Sequence, residues 1–78
     1  MLLQLRDLMS EVFECSATEI TDDATINAVS GWDSLNHVKL MMQLNEAGVP
    51  ISPNDIAELT SFRAIKEFIE RAGGTVHG

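Results

Sequence analysis

Gly31-Trp32-Asp33-Ser34-Leu35 brings a glycine, a large aromatic, an acid and a hydroxyl together, and it is the most distinctive stretch of the chain. His37 follows closely, a spacing that suggests a base beside a nucleophile. A serine nucleophile also needs a group that orients the base and donors for an oxyanion. Neither is visible around Ser34 and His37, so a hydrolase is remote, no catalytic residue is assigned, and His37 is expected at the surface or its boundary. A second chemistry is passive. Ser34 stands where a helix should begin, and a first helical turn offers unpaired N–H groups and the positive end of the macrodipole. A phosphate attached to a serine there sits in a favourable field. The plainer reading is that Asp33 or Ser34 caps the helix, as such residues do at most helix starts.

The other reactive side chains carry less. Cys15 is the sole cysteine, which excludes an internal disulfide and a cysteine-cluster zinc site. It could serve as a reactive thiol or thioester carrier, but a small buried residue is the expected role. Asp22 and Asp23 lack the ligand spacing of a calcium-binding hand and read as solvated turn residues. His77 has no nameable partner, and two histidines so placed make no metal site.

Charge narrows the partners. A formal net charge of -7 repels phosphate backbones and anionic lipid, which sets nucleic acid and membrane surfaces aside. Electrostatically steered partners should present basic patches. No apolar run approaches membrane-spanning length, and the amino terminus becomes charged at Arg6 and Asp7 too early for a signal-peptide core. A soluble, unprocessed, cytoplasmic chain is expected. Its 78 residues suffice for one domain with a small core, too small for a deeply enclosed active site.

The elements that must position Ser34 follow from periodicity. Leu2, Leu5, Met9 and Val12 recur at helical spacing, widened by Leu8 and Phe13, and predict an amphipathic first helix from Leu2 to Phe13. From Ser16 to Ser30 the pattern lapses into a long loop in which Ile20, Ile26 and Val29 are the expected pins. A second helix should start at Asp33 or Ser34 and run to Ala47, stopped by Gly48 and Pro50. Its polar stripe is Asn36, Lys39, Gln43 and Glu46. Its apolar arc is wider than one neighbour needs, so this helix is central or partner-facing.

Ser52-Pro53-Asn54-Asp55 reads as a cap with proline at the first helical position, opening a short third helix through about Leu59. Thr60 or Ser61 can cap a fourth, with Phe62, Ile65, Phe68 and Ile69 buried, ended by Gly73-Gly74. The expected architecture is an all-α, four-helix bundle with a short third helix and a long loop between helices one and two. Residues 1–73 form the domain, and 74–78 are a frayed tail.

Trp32-Asp33-Ser34-Leu35, then Val38, Leu40, Met42 and Leu44 at helical spacing, then Gly48-Val49, resemble the acyl and peptidyl carrier protein family. The resemblance extends over nearly the whole chain, from the amphipathic first helix and long loop to the short third and the fourth helices. In that family the serine of an Asp-Ser-Leu motif is esterified by 4'-phosphopantetheine, and Ser34 matches it. The resemblance implies a phosphodiester on Ser34 and a flexible arm whose terminal thiol bears acyl or aminoacyl cargo as a thioester. The chemistry then belongs to the cofactor. It also implies a magnesium-dependent phosphopantetheinyl transferase, an acyl- or aminoacyl-activating enzyme, and downstream transferases or synthases as partners of a monomeric carrier. Asp33 would cap the helix and help present the serine.

Leu35, Val38 and Met42 follow the serine along one side of the helix and could form an apolar docking strip, with Met41 a further candidate because methionine adapts to several partners. Trp32 could be a recognition aromatic at the base of the arm, or a loop anchor covering the end of the bundle. Carriers of dissociated fatty-acid synthesis commonly have a strongly acidic second helix. Here Asn36, Lys39 and Asn45 stand at such positions, and Glu46 is the only acid after Asp33. Partner binding should then be only mildly salt-sensitive. A polyketide, nonribosomal peptide or other specialised pathway fits better. The competing reading is an unmodified helical interaction module that uses the apolar face of the second helix.

Overall fold

A computed structural model describes residues 2–76. Helix α1 spans Leu5–Phe13, α2 Ser34–Glu46, α3 Pro53–Glu58 and α4 Phe62–Arg71. The all-helical architecture, the short third helix and the long connection after α1 stand as the sequence predicts. That connection also contains a single 3₁₀ turn, Ala17–Glu19, capped by Ser16.

Two expectations are corrected at the chain ends. The first helix begins at Leu5, because Leu2–Leu3 form a short strand, β1, parallel to β2, Thr75–Val76. The tail is therefore paired through Val76, and only its last residues, His77 and Gly78, lie outside the described ones. Two-residue strands are too short to leave an alternation in sequence, and their backbone groups find partners only because the ends meet.

The core is continuous. Leu5, Met9 and Phe13 from α1 meet Leu40, Met41 and Leu44 from α2 and Phe62, Ile65 and Ile69 from α4. Phe68 of the predicted stripe is only partly buried, against the edge of this cluster. Fully burying each such side chain stabilises the fold by about 1.5–3 kcal/mol, which is how a chain this short offsets its ordering entropy.

The long loop is held by its own side chains. Ile20 and Val29 are buried and Ile26 packs against the core, so all three predicted pins act as pins. Its backbone is stitched to the start of α4: the Ile26 N–H donates to the Thr60 carbonyl at 3.0 Å, and the Phe62 N–H to the Ala24 carbonyl at 2.9 Å. Asp22 and Asp23 are exposed turn residues, ion-paired with Arg6 and Arg63 respectively. Exposed pairs of this kind contribute little stability. The loop thus delivers the chain to the start of α2 along a fixed path.

Candidate functional site

The turn into α2 is built by a set of short hydrogen bonds. Gly31 adopts a φ of +87°, a conformation glycine tolerates without strain, and a methyl group there would overlap the Phe13 carbonyl oxygen. Only glycine lets the loop pass this close to the end of α1. Trp32 then turns inward. Its ring stacks on Phe13 with centroids 5.1 Å apart, and its indole N–H donates to His37 Nδ1 at 3.0 Å.

Asp33 caps α2. Its extended backbone precedes the first helical residue, and its Oδ1 accepts the Asn36 N–H at 2.9 Å. The same Asn36 donates from its side chain to the Gly31 carbonyl at 2.6 Å, which clamps the loop against the first turn. Asn36 is therefore half-buried and structural, where its place in the polar stripe predicted a solvated residue.

This leaves Ser34 free. It is the first residue of α2, exposed, and the cap is made by its neighbour. The sequence allowed either Asp33 or Ser34 to cap; the geometry assigns that role to Asp33. What remains at Ser34 is an accessible hydroxyl at the positive end of a 13-residue helix.

Beyond Ser34 the apolar arc of α2 divides into two stripes. His37, Leu40, Met41 and Leu44 face the core. Leu35, Val38 and Met42 are 66%, 43% and 59% exposed and point away from it. Met41, 2% exposed, is thus a core residue, and Trp32 is equally buried as the anchor of the loop. Burial takes Trp32 out of the docking strip as a surface aromatic, whereas Met41 reaches the surface only at the floor of a groove beside Val38 and Met42. Met42 stands between two shallow grooves. One, about 110 Å³, runs along Val38, Met41, Asn45, Ile51 and Ile56; the other, about 300 Å³, lies between α1 and α2 along Leu8, Val12 and Lys39.

His37 departs furthest from expectation. It is buried, with Nε2 2.7 Å from the Ile56 carbonyl of α3. Its spacing was a usable signal, because positions 37, 40, 41 and 44 form one i, i+3, i+4, i+7 face. Ser34 and His37 share an end of the helix, but the imidazole is committed to Trp32 and Ile56, and among the described residues no base faces the hydroxyl. Cys15 is half-buried beside the end of α1; burial raises its thiol pKa, and the Glu19 carboxylate adds to the rise through its charge and a hydrogen bond. Among the described residues no group of three or more His, Cys, Asp or Glu side chains is arranged to hold a metal ion, and no helix is long and apolar enough to cross a membrane.

Comparison with protein families adds the deciding observation: residues 3–69 match the model of the phosphopantetheine attachment site. The chain belongs to this phosphopantetheine-binding family. It is a non-catalytic carrier whose cofactor is a covalently bound 4'-phosphopantetheine, and it works with a phosphopantetheinyl transferase and with enzymes that act on the carried group. No curated protein matches the chain at a significant level. The matched region of this phosphopantetheine-binding chain runs from β1 nearly to the end of α4 and includes the whole capped turn.

Proposed function

We propose that Ser34 is the residue that carries the 4'-phosphopantetheine arm. One observation supports this above the rest: Asp33 supplies the helix cap, so the exposed Ser34 hydroxyl at the first position of α2 has no structural duty. Esterification there adds a phosphodiester to a site with a favourable helix field and displaces no contact of the cap. Asp33 supports the motif by fixing the turn. The protein presents a hydroxyl on a rigid turn, and among the described residues no base faces it.

The exposed stripe of Leu35, Val38 and Met42 serves as the docking strip for partner enzymes, beginning one residue from the arm. It is apolar, and the exposed charges of α2 are few and mixed in sign. Shape and apolar contact therefore carry more of its recognition than charge. This character fits a dedicated polyketide, nonribosomal peptide or other specialised pathway handling acyl or aminoacyl thioesters better than a general fatty-acid carrier.

The test is loading. The purified chain is incubated with a broad-specificity transferase, coenzyme A and magnesium, and its intact mass is measured. A gain of one phosphopantetheine that is absent from Ser34→Ala supports the assignment. A gain that persists in Ser34→Ala places the arm elsewhere, and no gain beside a control carrier that loads supports the unmodified interaction module.

A further inference from the structure

His37 is the buried polar side chain of the described core, and carrying a thioester gives it no task. Its two ring nitrogens reach in different directions, to Trp32 in the turn before Ser34 and to the Ile56 carbonyl in α3. An indole N–H only donates and a carbonyl only accepts. One tautomer alone satisfies both, with the lone pair on Nδ1 and the proton on Nε2 pointing at Ile56. Trp32 therefore fixes the ring, and the ring holds α3.

α3 needs such a hold. It has six residues, none of them fully buried, and a helix this short has little stability of its own. Its final carbonyls lack intrahelical partners, as at every helix end. The Thr60 N–H, the amide that could have closed on Ile56, donates to Glu58 instead. His37 caps that open carbonyl from α2. Ile56 also lines the groove beside Val38 and Met42, so the position of α3 shapes one edge of the exposed stripe.

We propose that His37 is a positioning residue for the partner face: oriented by Trp32, it locks α3 against α2 so that an enzyme approaching Ser34 meets a fixed surface. This rests on Ser34 being the loaded serine. An unlocked α3 lowers the fraction of carrier that is competent to dock, which raises the apparent KM of the carrier and leaves kcat unchanged once it is bound.

The test pairs two substitutions whose amides mimic one ring nitrogen each. His37→Asn can accept from Trp32 but falls short of Ile56; His37→Gln can reach Ile56 as a donor. Transferase kinetics are measured with each carrier as the varied substrate, corrected for folded fraction by circular dichroism, and amide exchange is followed across residues 53–59. His37→Asn is expected to raise KM at unchanged kcat, by at most about fivefold, the full effect of losing one hydrogen bond of ~1 kcal/mol, and to speed exchange in α3. His37→Gln should return both values toward wild type.

Wild-type KM in folded His37→Asn, a change in kcat alone, or no rescue by His37→Gln overturns the proposal. If His37→Asn does not fold, Trp32→Phe carries the test at equal folded fraction: it keeps an aromatic ring beside Phe13, removes the N–H that fixes His37 together with part of the indole's volume, and must raise KM and speed exchange in α3. If wild type itself is not loaded, the Ser34 assignment fails. Amide exchange then still decides the lock, because unchanged α3 protection in folded His37→Asn overturns it.

Discussion

Trp32 and His37, five residues apart across the start of α2, are joined by a 3.0 Å hydrogen bond from the indole N–H to Nδ1 inside the core. The aromatic that precedes the candidate serine is thus an anchor of the fold. Trp32→Ala removes the stacking on Phe13 as well as this bond and should cost about 3–5 kcal/mol, a large share of the ~5–15 kcal/mol typical of a domain. Urea unfolding followed by circular dichroism measures it. A loss below about 1 kcal/mol would mean that Trp32 is not packed as described.

Gly31 is constrained twice, by its φ of +87° and by the Phe13 carbonyl against which a side chain would press. Gly31→Ala should destabilise by more than about 1 kcal/mol and lower Tm by at least about 4–8 °C. Thermal unfolding gives the value. An unchanged Tm would contradict the close passage of the loop over the end of α1.

The two methionines at 41 and 42 should separate cleanly. Met41→Ala empties a core position and should cost about 2–5 kcal/mol. Leu35→Ala, Val38→Ala and Met42→Ala should each change stability by no more than about 0.5 kcal/mol while slowing loading or a partner transfer reaction. Unchanged kinetics with several partner enzymes would remove the docking strip. A steep loss of partner affinity with added salt would contradict its apolar character.

Cys15 has a raised thiol pKa, first through burial and then through Glu19. The thiolate is the nucleophile, so at mildly alkaline pH the folded protein should alkylate more slowly than the urea-unfolded chain. The same shift has a stability consequence. With the folded pKa above the unfolded one, the thiol's contribution is intact below the unfolded pKa and is lost as pH rises through the folded pKa. Equal alkylation rates in the folded and unfolded chain would remove both statements.

Much of this was legible in sequence because its signals are local. The caps at Asp33 and Ser61, the proline opening α3 and the stop at Gly48 each act within a few residues. Ile20, Ile26 and Val29 stand alone among polar residues and had to point inward. What sequence did not resolve was direction around α2. Its apolar arc covers most of the helix, so whether Met41 or Met42 faces the core depends on where α1 and α4 lie. Asn36 and His37 depart from expectation for another reason: polar residues on a helix default to solvent, whereas each here meets a backbone carbonyl, of Gly31 in the preceding turn and of Ile56 in α3. The β1–β2 pairing joins the two ends of the described chain and leaves no local trace.

The central claim, that Ser34 bears the arm, is tested most directly by mapping the modification. The chain is loaded by a broad-specificity transferase, digested, and fragmented by tandem mass spectrometry. A single phosphopantetheine on the peptide containing Asp33-Ser34-Leu35, assigned to Ser34 and absent from Ser34→Ala, is the predicted result. Attachment to another residue, or an unmodified chain beside a control carrier that loads fully, would contradict it.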